Sequence, residues 1–521
     1  MIFLLLVAIW VADESDKVRP DAVPVPGPVA IHLAAAGGEC AGAQLVVRGP
    51  VQALSAKSSG FPIDLYRVAT IFLQHPSGPE GSTGEWPDAL IPTRDALFGE
   101  ERKVFPVDVG KGRAQAIFVE SCAPRGGGPA LLKGAVKLSW RGGALEVPVQ
   151  LKVRSFDLPA TPPLATAFGF SGYSAARGHR RGPEANRELT RLYDWMALRR
   201  GITLFGGTQN APEYTARGND VTIDWTDYDA EVAPFLDGTA LPSGARWTSV
   251  ELREPGKLTR EQRRSWRRAW VEHFRARGWL DRLFRYVEDE PAEARLAEVE
   301  GKAAEVRDDA PEVRRLLTTA PSDKLKSVDL FVPLLNCFAG TGPTCPRGGR
   351  GPWWYQSCMS HGCQENAHPA FRGWPSYMID APATAARAMG ALAFANGVSG
   401  ELYFDVDYIY EFTDPWISQW GFGGNGDGTL YYPGTPARIG GLHDVPVESL
   451  RLIQIARGLS DHAYLSLCAQ LGDPGLARTE AQALAPGLRN WARDPHAYAQ
   501  MREKVAARIE TLLARARLGA R

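Results

Sequence analysis

The chain of 521 residues is long enough for two or three domains, and its 59 basic side chains balance its 59 acidic ones. A formal net charge of zero argues against a dedicated nucleic-acid-binding protein, which would normally carry a basic excess. A hydrophobic fraction of 44% and a charged fraction of 23% exclude disorder, collagen and coiled coil as the main character of the chain.

The first ten residues are apolar and are followed by Val11, Ala12 and the acidic Asp13. This segment is too short to cross a bilayer as a helix, and it predicts a signal peptide within residues 1–20, cleaved after Ala12. The alternatives are a buried first strand and a wrongly assigned start of the sequence. A signal peptide would place the protein in the periplasm, on the cell surface or outside the cell. No later stretch approaches 18 apolar residues, so no transmembrane helix is predicted.

Residues 21–160 consist of short strand-like segments separated by turns, without a long helical period. In Leu145–Val153 every second residue is apolar, and Arg141–Gly143 before it is typical of a hairpin turn. Further strand segments are Ala43–Val47, Ile71–Gln74, Gln115–Glu120 and Ala135–Trp140. This pattern predicts a β-sandwich, which a proline-rich connection near residue 160 separates from the rest of the chain.

In residues 161–470 short apolar strands alternate with helical stretches. The candidate strands are Ala165–Phe170, Ile202–Phe205, Trp247–Leu252, Leu283–Val287, Arg315–Thr319, Leu330–Leu334, Trp353–Ser357 and Gly400–Phe404. The helices between them include Glu184–Arg199, Arg260–Arg277, Pro291–Arg307 and Ala381–Asn396. Eight strands alternating with helices are typical of a (β/α)8 TIM-like barrel. The sequence gives little indication of a helix between strands two and three or between strands six and seven.

Residues 471–521 predict a C-terminal helical extension, because Met501–Leu518 carries apolar side chains near helical spacing. A surface helix packed on the barrel is favoured over a membrane or partner helix.

The chain contains seven cysteines: Cys40, Cys122, Cys337, Cys345, Cys358, Cys363 and Cys468. Disulfides are favoured if the chain is exported, and free thiols are a second interpretation. A zinc site is the third, with Cys358, His361, Cys363 and His368 as ligands, although no pair has the usual C-x2-C spacing. The odd count leaves at least one cysteine unpaired, with Cys468 as the candidate.

The fourth predicted strand ends in Glu288-Asp289-Glu290-Pro291. Catalytic groups of such barrels lie at the carboxyl ends of strands, so this acidic run is the strongest candidate active site. Two neighbouring carboxyl groups in different surroundings divide the roles of proton donor and ionised partner, as in glycosidases. The alternative is an acidic run that complements a helix dipole.

Aromatic and acidic residues follow two further strands. Strand seven contains Trp353, Trp354 and Tyr355, and strand eight is followed by Asp405 and Asp407. Aromatic faces beside carboxylates suit a sugar ring, whose C–H face stacks and whose hydroxyls need acceptors. In a regular strand Trp354 points away from its two neighbours, so Trp354 and Tyr355 share a pocket only if the backbone bends.

These residues resemble the motifs of a known group of proteins. Tyr286–Pro291 is similar to the Asp-Glu catalytic motif of glycoside hydrolase family 123. The resemblance continues in Trp353–Tyr355, Ile379–Asp380, Gly400–Tyr403 and Asn425–Gly434. The last segment is similar to a signature of the wider group, the domain of unknown function 4091.

The resemblance implies a retaining exo-glycosidase that removes terminal β-linked N-acetylgalactosamine or a related N-acetylhexosamine. The 2-acetamido oxygen of the sugar would attack the anomeric carbon. Asp289 would hold the acetamido N–H, Glu290 would act as acid and then base, and Tyr355 would bond the acetamido carbonyl. The further candidates for the sugar pocket are Trp354, Asp380, Tyr403 and Asp405.

No metal and no organic cofactor follows from the resemblance. The partner is expected to be a glycan or glycoconjugate. Two alternatives remain open: a glycosidase of different sugar specificity that uses two carboxylates, and a carbohydrate-binding protein without turnover on the same scaffold.

Overall fold

A computed structural model describes residues 7–206, 212–342, 345–360, 362–363 and 369–519.

The amino-terminal part, here called the two-sheet unit (residues 8–157), is built from antiparallel and parallel strands in two five-stranded sheets. Its strands are β1 (Ala8–Asp13), β2 (Ile31–Gly37), β3 (Cys40–Arg48), β4 (Val51–Ser59), β5 (Asp64–Leu73), β6 (Gly84–Pro92), β7 (Val107–Val109), β8 (Ala114–Cys122), β9 (Ala130–Trp140) and β10 (Gly143–Asp157). The sheet orders are β1-β3-β8-β5-β6 and β2-β10-β9-β4-β7. Leu45 and Ile117 from the first sheet pack against Leu151 from the second in one buried core.

The apolar start of the chain is part of this unit. Strand β1 pairs with β3 from Ala8 opposite Arg48 to Asp13 opposite Ala43, and Trp10 between them is buried. Cleavage after Ala12 would remove most of β1 and leave β3 as an unpaired edge. Residues 8–13 therefore form a paired strand in this structure, and the signal peptide with its boundary at residue 20 stays a prediction. Export itself stays a prediction.

The second part, here called the strand–helix unit (residues 165–403), follows the predicted alternation. Its elements are β11 (Ala165–Phe170), α1 (Gly172–Gly178), α2 (Asn186–Arg199), β12 (Leu204–Gly206), β13 (Glu213–Arg217), β14 (Asp220–Asp224), α3 (Thr226–Asp237), β15 (Val250–Glu251), α4 (Arg260–Arg277), β16 (Leu283–Glu288), α5 (Leu296–Asp309), β17 (Arg314–Leu317), β18 (Leu330–Phe331), α6 (Leu335–Phe338), β19 (Trp353–Tyr355), α7 (Ala383–Asn396) and β20 (Gly400–Tyr403). Each of the eight expected strand segments contains a parallel strand, and β13 and β14 form a separate hairpin.

The eight parallel strands form two four-stranded sheets, β12-β11-β20-β19 and β15-β16-β17-β18. At one junction the Thr248 N–H donates to the Thr203 hydroxyl at 2.9 Å. At the other, the Tyr355 N–H donates to the Pro333 carbonyl at 3.1 Å. The eight strands therefore follow one another in chain order around a curved arrangement, and their carboxyl ends lie on the same side.

The helices between these strands are uneven in length. Helix α4 is capped at both ends. Thr259 and Gln262 form a capping box at its start, and Gly278 adopts the left-handed conformation directly after its last residue. Helix α3 lies between strands two and three, where a helix was poorly signalled. Among the described residues, the connection between strands six and seven contains one helix, the four-residue α6. Residues 318–329 between strands five and six contain no helix.

The last part of the chain covers both units. Its elements are β21 (Trp420–Gly421), β22 (Gly424–Asn425), β23 (Tyr431–Gly434), α8 (Pro436–Ile439), β24 (Val445–Glu448), α9 (Leu450–Gln470), α10 (Pro474–Leu484) and α11 (Pro495–Gly519). In α11, Val505 and Ile509 are fully buried in the core that also contains α7 and α9, so this helix packs on the protein itself. In the described part of the chain, every helix is too short or too polar to cross a membrane.

Buried ion pairs join the two units. Arg200 donates to Glu120 of β8 at 2.9 Å and to Glu448 of β24 at 2.7 Å. Arg457 of α9 donates to Glu14 at 2.9 Å and to Glu120 at 2.7 Å. Removing one member of such a buried pair strongly destabilises a protein, because the other charge stays buried without a partner. Buried ion pairs as well as apolar packing therefore hold the two-sheet unit against the rest of the chain.

Six of the seven cysteines form disulfides, Cys40–Cys122, Cys337–Cys345 and Cys358–Cys363, and Cys468 is a buried free thiol. The disulfide interpretation is therefore confirmed. Two ligands of the alternative zinc site, His361 and His368, lie outside the described residues. Within the described ranges no cluster of three or more His, Cys, Asp or Glu is arranged to hold a metal ion.

Candidate active site

The backbone bends where strand β16 ends. The pairing of β16 with β17 shifts register between Tyr286 and Glu288, and Glu290 has a φ of 38°. A positive φ is unfavourable for a residue with a Cβ, and such strain is concentrated at functional sites. The bend was expected from the strand end, and it gives the side chains of Asp289 and Glu290 separate partners.

Asp289 is held by two hydroxyl groups. The Tyr286 hydroxyl donates to Asp289 Oδ1 at 2.6 Å, and the Thr318 hydroxyl donates to the same oxygen at 2.8 Å. Thr318 follows β17 directly, and its oxygen also accepts the Glu290 N–H at 2.8 Å. Hydrogen bonds donated to a carboxylate stabilise its charged form. Asp289 is exposed to solvent beyond these contacts and can accept a further donor.

Glu290 has a different environment. The hydroxyl of Tyr355, at the end of β19, donates to Glu290 Oε1. Glu290 is exposed as a residue, but its carboxyl end reaches the buried Tyr355 and is partly desolvated there. Burial raises the pKa of Glu290, the Tyr355 hydrogen bond lowers it, and the charge of Asp289 raises it. The net direction is upward, so Glu290 is the carboxyl group of the pair that keeps its proton more readily.

The phenol groups themselves stay protonated. Burial raises the pKa of Tyr286 and of Tyr355 well above the usual range, and the neighbouring carboxylates raise both further. Each phenol is therefore a hydrogen-bond donor at neutral pH. Residues from three strands thus donate different hydrogen bonds to the two adjacent carboxyl groups. Two carboxyl groups in different surroundings can perform general acid–base chemistry.

Strand β19 is regular, and this decides the role of Trp354. Trp353 and Tyr355 point into the cluster enclosed by the parallel strands, whereas Trp354 points to the helix side and packs against Phe338. Trp354 has no exposed surface. The bend that would bring it into a sugar pocket is absent from β19, so the prediction for Trp354 is corrected.

Two further predicted pocket residues serve the internal structure. Asp380 is buried and accepts hydrogen bonds from the backbone N–H and the hydroxyl of Ser77, in the two-sheet unit. Tyr403 has no exposed surface, and its hydroxyl accepts the Gly428 N–H at 2.8 Å. With these contacts made inside the protein, neither side chain is available to a sugar.

Asp405 is half-buried after β20 and is paired with the fully buried Asp407, whose N–H donates to Asp405 Oδ1 at 2.8 Å. Burial raises the pKa of both carboxyl groups. Asp407 Oδ1 accepts the Ser171 N–H at 3.1 Å, at the end of β11. Of the predicted sugar-pocket residues other than Tyr355, Asp405 is the one that stays partly accessible.

Sequence reasoning missed Tyr286 and Thr318 as site residues. The strand-end rule contained a signal for Thr318, because it follows the fifth strand as Asp289 follows the fourth. Nothing in the sequence identified Thr318 as a partner of Asp289 or Tyr355 as the partner of Glu290, since these residues are 29 and 65 positions apart.

A cavity of about 490 Å³ lies elsewhere, between the Cys337–Cys345 loop and residues 487–490. Among the described residues that line it there is no carboxyl group and no imidazole. The adjacent carboxyl groups of Asp289 and Glu290 lie instead at the open strand ends, and this is the candidate active site.

Comparison with known proteins gives a likeness of fold. No protein-family model and no curated protein matches the chain. Among solved structures, a family 123 glycoside hydrolase from Clostridium perfringens, studied for its hydrolysis of glycolipid glycans, matches 98% of this chain and 99% of its own, with a TM-score of 0.64 and 12% identity. The family whose motifs the sequence resembles thus includes a protein whose fold this chain shares.

Two β-glucuronidases match less well. One is an FMN-binding enzyme from Facaelibacterium prausnitzii, with 12% identity, a TM-score of 0.26 and coverage of 76% of this chain and 57% of its own. The other, from Parabacteroides merdae, has 7% identity, a TM-score of 0.25 and coverage of 88% and 51%. TM-scores this low carry no argument about the present chain.

Proposed function

We propose that this protein is a glycoside hydrolase that removes terminal β-linked N-acetylgalactosamine, or a related N-acetylhexosamine, with retention of configuration. The observation that carries the proposal is the adjacent pair Asp289 and Glu290, whose carboxyl groups have different hydrogen-bond donors and different solvation. The fold shared with a family 123 glycoside hydrolase supports it.

In the proposed first step the 2-acetamido oxygen of the sugar attacks the anomeric carbon and the bond to the leaving oxygen breaks. Glu290, which keeps its proton more readily, transfers that proton to the leaving oxygen. Asp289 accepts the acetamido N–H and stabilises the positive charge of the oxazolinium-like intermediate. Because the substrate supplies the nucleophile, no second nucleophilic carboxylate is needed.

In the second step Glu290, now ionised, takes a proton from water, and the water oxygen attacks the anomeric carbon. The bond between that carbon and the acetamido oxygen breaks, so the acetamido group is restored. Two displacements at one carbon give overall retention. Glu290 ends the cycle protonated, as it began.

The role of Tyr355 in this scheme differs from the expected one. Its hydroxyl donates to Glu290, so it orients the acid and stabilises its ionised form between the two steps. Tyr286 and Thr318 do the same for Asp289. A hydrogen bond from Tyr355 to the acetamido carbonyl would require that hydroxyl to leave Glu290.

The fold proposal belongs with this function. We propose that the two five-stranded sheets form a β-sandwich and that the eight parallel strands form a (β/α)8 barrel lacking a helix between strands five and six. Active sites of such barrels lie at the carboxyl ends of the strands, as Asp289, Thr318 and Tyr355 do here. Three disulfides support the proposal that the protein is exported.

The test is Glu290→Gln, assayed on aryl N-acetyl-β-galactosaminide. Glutamine keeps the shape and the acceptor for Tyr355 but carries no transferable proton, so kcat/KM is expected to fall by about 10²–10⁴-fold. Glu293→Gln is the matched control, because Glu293 is an exposed glutamate three residues further on. Full activity of Glu290→Gln would contradict the assignment.

A second assay separates the mechanisms. A galactoside with a 2-hydroxyl in place of the 2-acetamido group lacks the internal nucleophile and is expected to stay intact. Equal cleavage of both substrates would instead identify a two-carboxylate glycosidase of different specificity. Binding of glycans without any hydrolysis, over a broad panel, would identify a carbohydrate-binding protein.

A further inference from the structure

A group of aromatic side chains lies on the surface after strand β20. We call it the aromatic platform and define it as Phe404, Tyr408, Phe412 and Phe422. Phe412 is 63% exposed and Phe422 is 57% exposed. The rings of Tyr408 and Phe422 stack with centroids 4.7 Å apart, and Phe412 lies 5.0 Å from Tyr408. Ile417 beside them in sequence is 69% exposed.

Exposure of these aromatic rings to water is energetically unfavourable. Burying a phenylalanine side chain stabilises a protein, and two of these rings are mostly exposed. Phe422 also has a φ of 51°, which a residue with a Cβ rarely adopts. Exposed apolar groups gathered in one place and rimmed by polar residues mark a binding surface.

The platform lies at the same end of the parallel strands as the candidate active site. Phe404 follows β20, which pairs with β19, and Tyr355 of β19 holds Glu290. The loop after β19 also reaches the platform, since the Cys358 sulfur lies 3.4 Å from the carbonyl oxygen of Phe422. The platform therefore follows the strand next to β19, and the Tyr355 hydroxyl of β19 reaches across to Glu290 after β16.

Acceptor groups border the rings. Asp405 follows Phe404 and is half-buried, and Glu411, next to Phe412, accepts the Ser174 hydroxyl at 2.8 Å. Apolar rings bordered by carboxylates suit a neutral sugar, which offers a C–H face for stacking and hydroxyl donors for acceptors.

We propose that the aromatic platform binds the neutral sugar residues on the leaving-group side of the scissile bond. The protein is thereby selective for oligosaccharides over simple glycosides. This inference rests on the proposed function, because the terminal hexosamine must occupy the site at Glu290 for the next sugar to reach the platform.

The test compares two ligands in the inactive Glu290→Gln protein, so that binding is measured without turnover. The ligands are a neutral tetrasaccharide with a terminal β-N-acetylgalactosamine and the methyl glycoside of that sugar. Phe412→Ala/Phe422→Ala is expected to reduce the ratio of tetrasaccharide to methyl-glycoside affinity at least tenfold, by calorimetry. Both side chains are largely exposed, so the variant is expected to fold normally.

The matched control is Phe72→Ala, which removes a phenylalanine 60% exposed on β5 of the two-sheet unit and should leave the ratio unchanged. An unchanged ratio in the double variant would overturn the proposal, as would a parent protein that does not bind the tetrasaccharide. Retained tetrasaccharide affinity with lost binding to phosphatidylcholine vesicles would overturn it in favour of a lipid surface.

If the proposed glycosidase function is wrong, the experiments give a different result. In that case no N-acetylhexosaminide is hydrolysed by the wild-type protein, whatever the affinity ratio. Hydrolysis with an unchanged ratio would overturn the platform alone.

Discussion

Two pairs of carboxyl groups follow parallel strands of this protein, Asp289 with Glu290 after β16 and Asp405 with Asp407 after β20. In the first pair both residues are exposed, and each has hydroxyl donors from another strand end. In the second pair Asp407 has no exposed surface, and its N–H binds Asp405. Burial raises the pKa of both members of the second pair. The same residue type at equivalent strand ends therefore differs in access to water and substrate, and that access decides which pair can exchange protons.

The largest expected difference between the pairs concerns activity. Asp289→Asn should reduce kcat/KM on aryl N-acetyl-β-galactosaminide by about 10²–10³-fold, because an amide cannot stabilise the positive intermediate. Asp407→Asn is the matched change in the buried pair and should retain most of the activity. Equal losses in the two variants would remove the distinction drawn between the pairs.

The pH dependence of the residual activity of Asp289→Asn gives a second test. The charge of Asp289 contributes to the raised pKa of Glu290. Without that charge the pKa falls, so the alkaline limb of the kcat/KM profile, where the acid loses its proton, moves to lower pH. An alkaline limb at higher pH than in the wild-type protein would contradict this assignment of the acid.

A smaller effect is expected for Tyr355→Phe. The hydrogen bond from Tyr355 lowers the pKa of Glu290 against the effect of burial. Without it the pKa rises, and the alkaline limb moves to higher pH. We expect kcat/KM to fall roughly tenfold, the equivalent of one hydrogen bond to a charged group. Tyr286→Phe is the control, because its hydroxyl contacts Asp289 and should not move the limb upward.

The smallest effect concerns stability at the buried pair. The pKa of Asp407 is raised in the folded state, so folding takes up protons and stability falls as the pH rises above the unfolded value. Asp407→Asn cannot ionise, and its amide still offers an oxygen to the Ser171 N–H. We expect a gain of about 1 kcal/mol at pH 7 and no gain at pH 4, from urea unfolding. A gain that is equal at both pH values would contradict the ionisation argument.

Much of the fold was predictable because it depends on local periodicity. The eight strand segments of the strand–helix unit and helix Arg260–Arg277 are found where the apolar pattern put them. An apolar run of this length fits a signal peptide as well as a paired strand, so the sequence alone leaves both interpretations of residues 8–13 open. The pairing of β1 with β3 and the bond from Arg457 to Glu14 are contacts that no local pattern contains.

The site was predictable in part. Strand-end position singled out Asp289 and Glu290, and regular strand geometry already predicted that Trp354 and Tyr355 point to opposite sides. Asp380 and Tyr403 were misjudged because acidic and aromatic residues near strand ends serve internal hydrogen bonds as readily as sugars. Ser77 and Gly428, their partners, are 303 and 25 residues away in sequence.

The sequence by itself determined the order of the elements, the acidic run after the fourth strand and the resemblance of its motifs to one family, since these depend on residues close together in the chain. Only the tertiary structure decided which carboxyl group is desolvated, which hydroxyl holds it and which aromatic rings remain exposed. Those properties depend on burial and on contacts between distant strands. Hydrogen bonds and solvation act over a few ångströms, and only the folded chain brings Thr318 and Tyr355 within that distance of Asp289 and Glu290.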